Sequence, residues 1–147
     1  MLLHACRKNS IIERTKKVKM KRDIHTIDDI KLLVDTFYEK VRHDPTIGYM
    51  FNEVAKTHWE DHLPKMYGFW QILLLGQQGV TSNPMQRHTE INALEKLTEQ
   101  HFERWVSIWF ETLDELFEGN TVAIAKERTL AIQQTMIMKI RANEASV

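Results

Sequence analysis

The sequence predicts an all-α domain, and three observations carry that reading. From Thr26 onward apolar side chains recur at spacings of three and four, no stretch alternates as a half-buried strand would, and 147 residues hold only five Gly and three Pro. With 43% hydrophobic residues and four Trp, the chain is long enough for one domain with a real core and too short for two. No run of about eighteen apolar residues exists to span a membrane. The start MLLHACRKN turns charged too soon to read as a secretion signal. The single cysteine, Cys6, rules out an intrachain disulfide and a cysteine-based zinc site, which fits a reducing, cytoplasmic setting.

The elements follow in order. Thr26 can cap a first helix whose opening turn holds Asp28 and Asp29, where negative charge suits the N-terminal dipole. Ile30, Leu33, Val34, Phe37, Tyr38 and Val41 form its apolar stripe, and HDPTIG at 43–48 stops it because Pro45 disfavours helix in Asp44. A short segment, 49–54, carries Phe51. A second helix is expected over 57–75, with Trp59, Leu63, Met66, Phe69, Trp70 and Leu73 on its apolar side. Pro64 falls inside that span, so regular helix is expected only from near Leu63, after an irregular turn. The loop GQQGVTSN ends at Asn83, an N-cap, followed by Pro84 at a position that needs no N–H. His88 then stands roughly one turn into a helix of fixed start. A third amphipathic helix over 98–117 aligns Phe102, Trp105, Val106, Trp109, Leu113 and Phe117; Gly119 and Asn120 break it. The last helix, 121–142, is expected to bury Val122, Ala125, Leu130, Ile132 and Ile137. The organisation read from this is a flexible basic extension over 1–25, one domain over 26–142 and a short tail over 143–147.

Net charge is zero but unevenly spread. Residues 1–22 hold eight Lys or Arg against Glu13 alone, leaving the remainder at −7. Without aromatic side chains for stacking, that extension reads as solvated rather than as a nucleic-acid surface. The pairs Asp28/Asp29 and Asp114/Glu115 read as solvated charge as well.

Hydrolase, nucleotide and redox signatures (GxSxG, the P-loop, GxGxxG, CxxC) are absent. His58 and His62 lie four apart in HWEDH, yet Trp59 stands where a zinc protease places its general-base glutamate. What remains is an apolar helical box with a few polar groups among aromatics: Tyr38 on the first helix, His62 bordering the buried face of the second, Trp105 on the third, and His88. Each alone reads as ordinary packing. Together they supply an imidazole ligand and three hydrogen-bonding groups, which a five-coordinate haem iron with a polar distal pocket requires.

The strings FYEKVRHDPTIGYMFN (37–52), HWEDHLPKMYGFW (58–70), SNPMQRH (82–88) and HFERWVSIWFETLDELF (101–117) resemble the group III truncated globins over about residues 26–140. The glycine-pair motifs of groups I and II are missing. The departures are the first 25 or so residues and Tyr49, where the family commonly has proline. The resemblance implies a truncated globin fold, a two-over-two helical sandwich around haem b. It makes His88 the proximal iron ligand, Tyr38 and Trp105 distal hydrogen-bond donors, and His62 a distal residue able to swing as a gate. Phe51, Phe69 and Trp70 become haem-pocket residues along with His62. It implies tight binding of O₂, with NO and CO as further ligands, and chemistry on O₂, NO or peroxide: NO dioxygenase or peroxidase-like turnover served by an external reductase or small reductant. A non-enzymatic O₂ carrier or sensor, and a haem-free helical interaction module, stay open beside it, as does the oligomeric state.

Overall fold

The computed structural model describes residues 21–54, 57–77 and 97–145. The helix that was to present His88 lies outside them, as do residues 1–20. Among the described residues there is no strand, and four α-helices carry the fold: α1 (Ile27–His43), α2 (Trp59–Trp70), α3 (Glu99–Leu116) and α4 (Asn120–Ala145). Single π-helical turns follow α1, at Met50–Val54, and α2, at Gln71–Leu75. The helix α1 packs on α2 and α3, and α3 packs on α4, so the pairs α1/α2 and α3/α4 form the two layers of a two-over-two sandwich. None of these helices is long and apolar enough to cross a membrane.

Local chemistry explains the boundaries. Thr26 caps α1 by accepting from Asp29 N–H, while the Asp29 carboxylate accepts from the backbone N–H of Thr26 at 3.0 Å and of His25 at 2.9 Å. Asp29 is buried and paired with Arg22, which corrects its reading as solvated charge. The helix ends at Asp44, held extended by the following Pro45. The Asp44 carboxylate accepts from Thr46 and Ile47 N–H and from Arg104 on α3 at 2.8 Å, fixing the turn to the opposite layer. A Cβ at Gly48 would stand 2.9 Å from the carbonyl oxygens of Val41 and Arg42, so the chain can double back here only on glycine.

The helix α2 begins earlier than expected. Regular turns start at Trp59, and Pro64 sits in the interior. Its missing N–H leaves the Glu60 carbonyl without a helical donor, and Glu60 is exposed, so water can serve that oxygen. In α3 the capping box is completed by a histidine: Thr98 N–H donates to His101 Nδ1 at 3.0 Å and His101 N–H to the Thr98 hydroxyl at 3.3 Å.

Two further expectations are revised. Leu130 is 48% exposed, because the period of α4 turns it outward, and α4 runs on to Ala145, past the end read from the sequence. Residues 21–25, assigned above to a flexible extension, are laced into the fold. Ile24 is buried, and the Asp23 carboxylate caps α4 by accepting from Thr121 N–H at 2.8 Å and Val122 N–H at 3.2 Å.

Candidate functional site

The core is dense in rings, and they divide into two groups. The first gathers residues from three elements. Tyr38 on α1 meets His62 on α2 at 5.2 Å between centroids, Trp59 at 5.3 Å and Phe51, from the first π turn, at 6.0 Å. Trp59 also stacks on Phe51 and meets His62 edge-on. The sequence brings these together by spacing: Tyr38 occupies the last full turn of the buried α1 stripe, and the Asp44 turn folds Phe51 back beneath it. Trp59 and His62, three apart on α2, share a face.

The second group is a stack of indoles. Trp105 and Trp109, four apart on α3, lie 6.5 Å apart with planes only 8° from parallel, and Trp70 of α2 stacks on Trp109 at 4.6 Å. Phe69 meets Trp70 edge-on. Phe37 joins the two groups, with its ring 4.8 Å from Tyr38, 5.7 Å from Trp105 and 4.9 Å from Trp109. On the solvent side the half-exposed guanidinium of Arg42 lies 5.1 Å from the Trp59 ring, a cation–π cover over the first group.

Beside both groups is a small apolar cavity lined by Ile47, Met50, Phe51, Leu97, Phe102 and Trp105, with His101 at its edge. Electrostatically the site is dry. Burial alone pushes the Tyr38 hydroxyl well above the ordinary phenol range, so at any physiological pH it is a protonated donor. Trp105 contributes an indole N–H, which can only donate. Apolar walls from Phe51, Phe102 and aliphatic side chains, with the Trp105 indole in the lining, the Tyr38 phenol packed beside Phe51 and the His62 imidazole beside Tyr38, suit a flat apolar cofactor whose bound ligand carries partial negative charge.

Of the residues expected from the sequence, Tyr38, His62 and Phe51 come together directly, and Trp105 joins them through Phe37. Phe69 and Trp70 lie in the indole group and make no ring contact with Tyr38 or His62. His88, together with its SNPMQRH motif, lies outside the described residues. Among the described residues no cluster of three potential metal ligands forms. Sequence reasoning missed three contributors. Phe37 was visible only as one of several stripe positions, Arg42 as a surface charge, and Leu97 not at all, since nothing marks it before its burial.

No family model matches the chain. It is 29% identical over 126 residues to the group 3 truncated hemoglobin ctb of Campylobacter jejuni, a match covering 82% of this chain and 97% of that protein. The crystal structure of group III truncated hemoglobin from Campylobacter jejuni superposes with a TM-score of 0.71 at 26% identity, covering 82% of this chain and 95% of that one. The chain is similar over most of its length to a group III truncated hemoglobin, in sequence and in fold. The helical sandwich is therefore a truncated hemoglobin fold, and the ring cluster lies between its two layers.

Proposed function

We propose that this chain is a group III truncated hemoglobin that binds haem b between its layers and takes up O₂ tightly at a five-coordinate iron, with NO and CO as alternative ligands, to carry out redox chemistry on O₂, NO or peroxide. The observation that carries the reading is the meeting of Tyr38, His62, Phe51 and Trp59 in one dry cluster, joined through Phe37 to Trp105 and bordered by an apolar cavity. In this reading His88 is the proximal ligand, Phe51 packs on the porphyrin, Phe69 lines the pocket with Trp70 behind it in the indole stack, and the iron supplies the site of ligand binding and electron exchange.

The chain's own residues supply the rest. A Tyr38 phenol kept neutral by burial donates to the partial negative charge of bound O₂, the Trp105 indole N–H does the same, and in a low-dielectric pocket both bonds strengthen. Ligand release is slowed, which disfavours a carrier that must unload. His62, ring to ring with Tyr38 and Trp59, controls entry. Turnover draws electrons from an external reductase or small reductant.

The test is a titration of purified protein with hemin, followed by reduction and exposure to CO. A one-to-one endpoint with a histidine-type CO spectrum supports the haem reading, and folded protein that takes up none refutes it. NO consumption with reductant present then separates redox turnover from passive binding.

A further inference from the structure

Resting on that haem reading, we infer that Tyr67 and Asp35 form a surface electron-entry site, connected to the distal pocket through Trp70, Trp109 and Trp105. The indole stack described above is longer than a pocket wall requires. It runs from Trp105, which lines the cavity, through Trp109 at 6.5 Å to Trp70 at 4.6 Å, with near-parallel planes that favour electron exchange between π systems. Tyr67 stands three residues before Trp70 on α2, a neighbouring position on the helix surface. Half-buried, its phenol O–H donates to the carboxylate of exposed Asp35 on α1.

Two details suit this path to carrying an oxidising equivalent rather than trapping it. Trp109 is fully buried and its Nε1–H has no hydrogen-bond acceptor among the described residues, so an oxidised Trp109 cannot shed its proton and passes the hole on. Tyr67 is the opposite case. A phenol that loses an electron becomes strongly acidic, and the Asp35 carboxylate is already in place to take the proton. In the resting protein the same pairing, with burial the larger cause, holds the phenol neutral, its pKa pushed up to about 12.

The balance is as follows. Reduction of hydrogen peroxide to two waters consumes two electrons and two protons. The two electrons leave the Tyr67 phenol one at a time, in two successive cycles, each reaching the oxidised distal site through the three indoles while the O–H proton moves to Asp35; solvent supplies the two protons that the waters take up. An external one-electron reductant of the ascorbate class then returns an electron to the tyrosyl oxygen, and Asp35 returns the proton.

Haem-loaded protein, its haem content read from its absorption, is mixed with hydrogen peroxide, frozen and examined by electron paramagnetic resonance. The expected result is a tyrosyl signal that ascorbate removes. In Tyr67→Phe that signal is lost and a tryptophan-type signal remains; in Asp35→Asn and in Trp109→Phe the tyrosyl signal is lost. Haem content and helical circular dichroism check that each variant is folded. Tyr67→Phe and Asp35→Asn alter side chains that reach solvent, so they decide the matter even if Trp109→Phe fails to fold. An unchanged tyrosyl signal in Tyr67→Phe, or no protein radical in haem-replete wild type, overturns the route and leaves the haem reading standing. Failure to take up haem removes both.

Discussion

The Tyr38 ring meets the His62 imidazole at 5.2 Å between centroids with their planes 80° apart, so the one phenol in the first ring group is braced by the one imidazole. With desolvation keeping Tyr38 protonated, removal of its hydroxyl deletes a donor without changing the ring that His62, Trp59 and Phe51 pack against. A hydrogen bond to a partly charged acceptor contributes about 1.5–3 kcal/mol. Tyr38→Phe is therefore expected to speed O₂ dissociation by roughly ten- to a hundredfold, measured by stopped-flow displacement with CO.

Trp105→Phe should act in the same direction through loss of its indole N–H. It also removes one plate from the indole stack, so a modest loss of stability is expected as well. Unchanged or slower O₂ release in both variants would defeat the distal-donor reading.

His88→Gly tests the other side of the cofactor. Haem should be retained poorly and the ferrous spectrum should lose its histidine character, with added imidazole restoring it. A variant spectrum identical to wild type would move the proximal ligand elsewhere.

Gly119 has φ of +144°, and a Cβ there would stand 2.5 Å from Cγ of Asp23. Gly119→Ala must therefore both strain the backbone and push away the carboxylate that caps α4. The expected cost is about 1–3 kcal/mol, read as a shift in the denaturation midpoint. Asp23→Asn, which keeps an oxygen acceptor at the cap, should cost less.

Acid should loosen the N-terminal edge first. Burial works to raise the Asp29 pKa, but hydrogen bonds from Arg22 and from the N–H groups of His25 and Thr26 outweigh it and hold it at about 2, against 3.8 for the ordinary carboxylate. A depressed folded-state value means the stabilisation is complete above the unfolded value and is lost as pH falls toward the folded one. Denaturation stability should thus decline between about pH 4 and pH 2 more steeply in wild type than in Asp29→Ala. Parallel curves would show that Asp29 is not the group responsible.

Much of this was legible in the sequence because helical burial is periodic. The stripe containing Phe37 and Tyr38, the Pro45 stop and the Gly119 break all follow from local rules, and they place Tyr38, His62 and Trp105 on inward faces. Position along a helix does not say which inward side chains meet. That Trp70 finds Trp109 rather than Tyr38 depends on how α2 lies across α1 and α3, a long-range outcome. Pro64 misled for a related reason. The penalty for an interior proline depends on whether the freed carbonyl meets water, and the exposure of Glu60 is a property of the fold. Asp29 read as solvated charge because its partners Arg22 and His25 were themselves assigned to a loose extension, and Asp23 lay inside that extension, far in the chain from the α4 amides it caps.

The short lead Arg22–Asp23–Ile24 joins the starts of two helices that are far apart in the chain. Arg22 and the N–H of His25 satisfy Asp29 at the head of α1, while the neighbouring Asp23 satisfies the head of α4. Two termini that would ordinarily fray independently are thereby buckled together. The amides of Thr26 and Thr121 should exchange with solvent through a common opening, so loosening the lead would release the first turn of each layer at once.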